Sequence, residues 1–297
     1  MQGFDYKFVG FIRANGLLLT TVVVGFAIAV IGVPTAHGQE QPECKRRSQE
    51  LTNDRDQVRF GDGRQKVNGL GGNDRIHGGG GADLVNGGRD NDIVYGDEGN
   101  DIICGGVGND ILYGGPGRDL LYGEEGNDIL IPGPGDDYAL GSAGEDKVYG
   151  WGRRAGKIVA DGIDTIDGGF TDDRVEAGGA DTVLGGSEDD ILLTRTPLIA
   201  PAMFDGGYQD DTIIGSEKAD HIFGDVGIDI LRGRGGNDRL FGGGSDDRLI
   251  GGNDDDFLFG GDQKDRLDGG NGNDECDGGG PNNGDSASNC ESSRNIP

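Results

Sequence analysis

The chain has 297 residues, of which 63 are glycine and only 6% are aromatic, and its formal net charge is −28. So little apolar bulk cannot fill a broad globular core, and so much glycine would ordinarily indicate disorder. The negative charge excludes nucleic acid as a natural partner, because nucleic-acid binding needs a basic surface.

Residues 1–38 are predicted to be an export signal. Lys7 and Arg13 make its start basic, residues 16–33 are apolar, and small residues precede a cleavage site before Gln39. Secretion is therefore expected, with association at the cell surface as a variant of it. The apolar run has 18 residues, the lower limit for a membrane span, so a membrane is a partner only if this segment is retained as an anchor.

Residues 39–68 are expected to form a charged N-terminal cap that leads into degenerate repeats. Asp56 with Val58, and Gln65 with Val67, keep a nine-residue step but lack the glycines that follow later. Terminal repeats of a solenoid are atypical, because they must end the sheet.

Residues 69–149 are nine consecutive nonapeptides without insertion or deletion, here called the first array. Glycine recurs at positions 1, 2 and 4, aspartate at position 6, and an aliphatic residue at position 8. Such a period, with one carboxylate per repeat, is typical of a solenoid. The position-6 aspartates are Asp74, Asp83, Asp92, Asp101, Asp110, Asp119, Asp128, Asp137 and Asp146.

Residues 150–204 carry irregular repeats and two insertions. Residues 150–163 and 194–204 interrupt the period, and irregular repeats are recognised at Asp164, Asp173, Asp181 and Asp190. Insertions in solenoids usually form loops on one face. These two are therefore the candidate location of any second function.

Residues 205–277 resume the regular period as the second array. Position 4 is often not glycine there, and a residue forced to positive φ costs roughly 1 kcal/mol, so weaker turns are expected. The substitutions are Gln209, Lys218, Ser245, Asp254 and Gln263. The position-6 aspartates are Asp211, Asp220, Asp229, Asp238, Asp247, Asp256, Asp265 and Asp274.

Residues 278–297 are expected to form a C-terminal cap or tail. Four cysteines in an exported chain indicate two disulfides, for which three connectivities are possible. Cys276 and Cys290 flank the end of the second array, and their pairing would close the tail. Cys44 would then pair with Cys104 and fix the N-terminal cap to the first array.

The spacing of the aspartates predicts a metal site in every pair of coils. One turn reverses the chain, so a closed coil takes two nonapeptides, and residue i+18 stacks on residue i at roughly 4.8 Å. Calcium binds six to eight oxygen ligands at roughly 2.3–2.6 Å, so one ion fits between two stacked carboxylates, with turn carbonyls completing its shell. All 17 position-6 aspartates of the two arrays are thus candidate calcium ligands. Asn109, just before Asp110, is expected to contribute only its backbone.

The repeats resemble the hemolysin-type, or RTX, calcium-binding repeat with the pattern GGxGxDxUx. The resemblance covers nearly all of the chain beyond its N-terminal segment. It implies an all-β fold, a right-handed parallel β-roll or β-helix solenoid with two nonapeptides per coil and capped ends, and it implies multiple Ca²⁺ ions as cofactors.

The sequence favours a non-enzymatic protein with a structural or interaction role in a matrix or at a surface. It contains no HExxH, GxSxG, Walker A or EF-hand motif. The alternatives are an exported polysaccharide-acting enzyme, or an adhesin, with a site in residues 150–204. Extracellular polysaccharide and the cell surface are the partners to test besides calcium.

Overall fold

A computed structural model describes residues 49–150, 164–178, 181–194, 201–280 and 284–296, together with the backbone of five further strands. The chain divides into two compact units, Met1–Pro42 and Glu43–Pro297. Among the described residues, no helix has the length and apolar character that a membrane span requires.

The first unit contains a three-stranded antiparallel sheet. Its strands are β1 (Ile12–Ala14), β2 (Leu17–Val24) and β3 (Ala27–Gly32), with β2 in the middle. They fall within the segment predicted to be an export signal, and the expected cleavage position before Gln39 lies outside the described residues.

The second unit is a solenoid of two parallel sheets, whose strands alternate along the chain. One sheet has 14 strands, namely β4 (Gln49–Glu50), β6 (Lys66–Asn68), β8 (Leu84–Arg89), β10 (Ile102–Val107), β12 (Leu120–Glu125), β14 (Tyr138–Ala143), β18 (Thr165–Phe170), β20 (Thr182–Ser187), β22 (Met203–Tyr208), β24 (His221–Val226), β26 (Arg239–Gly244), β28 (Phe257–Gly261), β30 (Glu275–Gly279) and β32 (Ser292–Arg294). The other has 13 strands, namely β5 (Gln57–Arg59), β7 (Arg75–Gly80), β9 (Ile93–Glu98), β11 (Ile111–Tyr113), β13 (Ile129–Ile131), β15 (Lys147–Gly150), β19 (Arg174–Ala177), β21 (Ile191–Thr194), β23 (Thr212–Ile214), β25 (Ile230–Gly235), β27 (Arg248–Asn253), β29 (Arg266–Asn271) and β31 (Ser286–Ser288).

The register confirms the predicted coil of two nonapeptides. Ile103 pairs with Leu121 and Leu112 with Leu130, each 18 residues apart. The fold is therefore the expected all-β roll, in which each strand pairs with the strands one coil before and one coil after it.

The first insertion lengthens one coil without breaking the ladder. Tyr138 pairs directly with Thr165, 27 residues on. Between them, the backbones of β16 (Gly152–Arg154) and β17 (Lys157–Val159) form an antiparallel hairpin.

The second insertion is shorter than the sequence indicated. Residues 194–204 were expected to form a loop, but Thr194 ends β21 and Phe204 lies in β22 with no exposed surface. The prediction was wrong at these ends because Ala202 and Phe204 supply small and apolar side chains at positions 6 and 8, where the roll buries them.

The main core is a narrow column between the two sheets, and a small second cluster holds the buried Leu84 and Cys104. Position-8 side chains alternate between the sheets, and nearly all are fully buried from Ile76 to Leu258. Each packs on its neighbours one coil away, so stability accumulates along the array rather than in one centre.

Both ends of the solenoid carry atypical coils. The degenerate repeats at Val58 and Val67 pair in register with Ile76 and Val85. At the other end the tail adds β31 and β32 to the ladders. The predicted Cys276–Cys290 disulfide is present there.

Candidate metal centre

The position-6 aspartates form two rows, one along each edge of the roll. Those that precede strands of the 13-stranded sheet define the first edge, and those that precede strands of the 14-stranded sheet define the second edge. On both edges the Oδ1 atom of one aspartate accepts the backbone N–H of the aspartate one coil earlier, as in Asp92 N to Asp110 Oδ1 at 2.7 Å. The same bond recurs through both arrays, so the structure brings the predicted residues together by stacking.

The second carboxylate oxygen is the unusual feature of these rows. In 19 of the buried aspartates that the structure describes, Oδ2 has no hydrogen-bond partner, although buried polar atoms are rarely left so. On the first edge they are Asp74, Asp92, Asp110, Asp128, Asp146, Asp173, Asp190, Asp211, Asp229, Asp247, Asp265 and Asp285, and on the second edge they are Asp83, Asp101, Asp119, Asp137, Asp238, Asp256 and Asp274.

The position-1 glycine shows what this oxygen faces. A Cβ added at Gly87 would stand 2.5 Å from Asp92 Oδ2 and 2.7 Å from the carbonyl oxygen of Gly105 in the next coil. A Cβ at the position-2 glycine Gly88, whose φ is +118°, would stand 2.7 Å from the carbonyl oxygen of Leu70. Only glycine leaves room for these oxygens, so carboxylate and carbonyl oxygens of adjacent coils converge at each turn.

This donor set suits calcium and no soft metal. Among the described residues, no three His, Cys, Asp or Glu side chains cluster as a metal site, so a cation at a turn would take its remaining ligands from the backbone. Carboxylates combined with backbone carbonyls are the ligands that calcium prefers. The residues present therefore fit the ion that the sequence predicted.

Burial makes the ionised carboxylates costly without a cation. Desolvation raises the pKa of Asp128 to about 8, although the backbone hydrogen bond from Asp110 acts in the opposite direction and the neighbouring Asp146 and Asp110 add repulsion. Desolvation likewise raises the pKa of Asp119 to about 8 and that of Asp173 to about 9. A bound divalent cation would remove this penalty by neutralising the charge.

The rows extend beyond the residues assigned from the sequence. Asp164 accepts the N–H of Asp137 at 3.0 Å and Asp173 that of Asp146 at 2.7 Å, across the first insertion. Asp190 and Asp285 continue the first edge. The sequence marks Asp164, Asp173 and Asp190 as parts of irregular repeats, but they were not included among the predicted ligands. An aliphatic residue follows each of them by two positions, and alanine follows Asp285 in the same way.

Strained turn residues occur in both arrays. Of the five substituted position-4 residues in the second array, Gln209, Ser245, Asp254 and Gln263 adopt positive φ as expected, whereas Lys218 does not. Position-2 residues such as Asp97 (φ 70°) and Glu124 (φ 78°) in the first array adopt positive φ too. The expectation that strain would weaken mainly the second array overlooked position 2, where the same left-handed backbone is required.

Position 5 also contributes more than its backbone. Asn109 Oδ1 accepts the N–H of Asn127 at 2.9 Å, and Asn91 Oδ1 accepts that of Asn109 at 2.8 Å. These residues form an exposed amide ladder parallel to the carboxylate row, so Asn109 was wrongly expected to act through its backbone alone.

The remaining predicted site residues are the cysteines of the N-terminal half. Cys104 is buried and disulfide-bonded. Its expected partner, Cys44, lies outside the described residues.

Comparison with known proteins identifies the repeats. A family model described as the RTX calcium-binding nonapeptide repeat matches more than half of the chain. The search of curated proteins found no match to the chain. The matches cover residues 61–94, 68–103, 85–112, 95–130, 104–139, 131–152, 159–192, 205–240, 223–258 and 250–283.

Proposed function

Because the chain belongs to the family of RTX calcium-binding nonapeptide repeats, we propose that it is a secreted, non-enzymatic protein whose roll is assembled by calcium and acts as a structural or interaction scaffold. The observation that carries the proposal is the double row of buried Oδ2 atoms without a hydrogen-bond partner. A buried carboxylate with one oxygen left without a hydrogen bond destabilises a fold, because its charge is only partly compensated. Here the penalty recurs at nearly every coil.

The two carboxylate oxygens of each turn have different roles. Oδ1 of the aspartate holds the preceding coil by accepting its backbone N–H, as Asp128 does for Asp110 at 2.7 Å. Oδ2 is left without a hydrogen bond, and it lies near the position-1 carbonyl of the next coil, as at Asp92 and Gly105. Calcium supplies charge neutralisation and oxygen coordination when it is bound, so its binding free energy becomes folding free energy.

The signal-like N-terminal segment and the disulfides support secretion. Disulfides persist in oxidising compartments, and the chain carries Cys276–Cys290 and a bonded Cys104. Calcium is also abundant outside cells, where sites of modest affinity suffice. A chain of this kind would remain unfolded at low calcium and fold after export.

A scaffold role rests on the distribution of the carboxylates. The buried aspartates lie in repetitive rows, and each has the same position and the same Oδ1 bond, so nothing within these rows selects one pair as a general acid and base. The sequence lacks the motifs of the enzymes considered above. The repeats are accordingly assigned to binding and assembly.

The proposal is tested by recovering the chain from the culture medium of cells that express it. We expect an N-terminus at Gln39 and several tightly held calcium ions, measured by equilibrium dialysis. An intact N-terminus on chain retained by the cells would contradict secretion. A chain that binds no calcium at millimolar concentration would contradict the assigned cofactor.

A further inference from the structure

The two edges of the roll differ in their continuity. Along the first edge, every aspartate from Asp74 to Asp285 keeps an Oδ2 atom without a hydrogen-bond partner. Along the second edge, the row is interrupted at three consecutive coils, those of Asp181, Ala202 and Asp220. The register places these coils side by side, because β20 pairs with β22 and β22 with β24.

The two aspartates of this segment are satisfied by their own turns. Gly178 N–H donates to Asp181 Oδ2 at 2.8 Å, and Ser216 N–H donates to Asp220 Oδ2 at 2.6 Å. Ser216 is fully buried, and its Oγ accepts the N–H of Lys218 at 3.0 Å. In these turns a backbone N–H occupies the place that the other turns leave open.

The second-edge turn between them has no carboxylate at position 6. Ala202 stands at position 6, and its N–H donates to Asp220 Oδ1 at 2.8 Å. Thr194, at position 1, donates its hydroxyl to the carbonyl oxygen of Gly215 at 2.6 Å. In the glycine-containing turns this position-1 carbonyl faces Oδ2, as Gly105 O does at Asp92, so a side-chain hydroxyl closes the gap here.

We propose that these three coils form a calcium-independent joint in the second edge, closed by the N–H and O–H groups of the chain instead of a cation. The proposal rests on the proposed function, in which the other turns hold calcium. It replaces the sequence-based assignment of Asp220 as a calcium ligand. The next coil returns to the common pattern, since Asp238 Oδ2 is buried and has no hydrogen-bond partner.

The joint divides the second edge into separate runs. One run includes Asp83 to Asp137 and the other Asp238 to Asp274, while the first edge runs past the joint without a break. Because solenoid repeats interact mainly with their nearest neighbours, calcium binding in one second-edge run should reach the other only through the first edge.

A matched pair of variants in the full chain tests the joint. Asp220→Asn and Asp238→Asn make the same change in adjacent coils of one edge, and bound calcium is counted by equilibrium dialysis. We expect Asp238→Asn to lose at least one ion per chain and Asp220→Asn to lose none. Circular dichroism in saturating calcium verifies the fold of each variant.

A second pair covers the case in which Asp220→Asn does not fold, since its amide would oppose the Ser216 N–H. Asp220→Ala then takes its place, because alanine presents no amide and already stands at position 6 in the neighbouring coil at Ala202, with Asp238→Ala as the control. Equal loss of calcium from joint and control variants would overturn the joint while leaving the proposed function intact. A wild-type chain that binds no calcium would instead overturn the proposed function.

Discussion

Replacing Asp110 by asparagine is expected to stabilise the calcium-free fold and to destabilise the calcium-bound fold. Asp110 is 1% exposed, and desolvation raises the pKa of its carboxyl from 3.8 to about 6 in spite of the hydrogen bond from Asp92. A shift of about two units corresponds to about 3 kcal/mol. The calcium-free fold therefore carries that cost at pH 7 when Asp110 ionises, and asparagine removes it.

The geometry also favours the amide in the absence of calcium. Asparagine keeps an oxygen to accept the N–H of Asp92. Its NH₂ group would take the place of Oδ2, which lies next to Gly105 together with the carbonyl oxygen of Gly123. There the NH₂ group could donate to that carbonyl oxygen. In calcium the variant lacks the charge that the ion needs, so affinity should fall at least about tenfold, equivalent to about 1.4 kcal/mol.

Circular dichroism at pH 7 measures both effects, the first as the fraction of β-structure that remains in chelator and the second as the calcium concentration at the midpoint of folding. Asn109→Ala is the control, because it removes only the exposed Oδ1 that accepts the N–H of Asn127. It should lower the stability of the fold by about 1 kcal/mol both in chelator and in calcium. If Asp110→Asn lowered stability equally with and without calcium, Asp110 would be only a structural acceptor and the reasoning would fail.

Three further perturbations test other parts of the structure. In chelator, β-structure measured by circular dichroism should be present at pH 5 and lost toward pH 9. Carboxyl pKa values raised to between about 6 and about 9 make the folded chain bind more protons than the unfolded chain, so stability falls as pH rises. A gain of β-structure with rising pH would contradict the argument that these carboxyls are buried. Gly87→Ala should reduce the number of calcium ions measured by dialysis, because the added Cβ would meet Asp92 Oδ2 and Gly105 O. Gly61→Ala is the control and should not, because nothing lies within 4 Å of its added Cβ. Equal effects of the two variants would contradict the claim that carboxylate and carbonyl oxygens meet beside Gly87. Cys276→Ser should lower the free energy of unfolding by about 3 kcal/mol, since the disulfide closes a loop of 14 residues, and an unchanged urea midpoint would show that the tail does not stabilise the roll.

The period predicted the coil, the two sheets and the stacking of aspartates. Nine-residue spacing alone places Ile103 on Leu121, because the backbone has few ways to reverse direction twice in 18 residues. The same spacing places Asp92 next to Asp110. Where the period held, the sequence was sufficient.

The sequence could not separate turns that look alike but close differently. Asp220 and Asp238 have the same position and a similar context, yet only Asp220 receives a backbone N–H on Oδ2. The turn before Asp238 has positive φ at Arg234 and Gly236, whereas Ser216 and Lys218 in the turn before Asp220 do not have positive φ. Irregular spacing also kept Asp164 out of the predicted ligands, although its repeat was recognised, and it hid Asp285, because a loop can absorb extra residues without shifting the stacked strands.

The most direct test of calcium-driven assembly is circular dichroism of residues 39–297 during a calcium titration from chelator at neutral pH. We expect a mostly disordered chain in chelator and a cooperative gain of β-structure at millimolar calcium. Magnesium or sodium chloride should give no comparable gain, because the turns offer oxygen sites of the kind calcium prefers and not merely charges to screen. The same β-signal in chelator, or its full recovery in magnesium or sodium chloride, would contradict it.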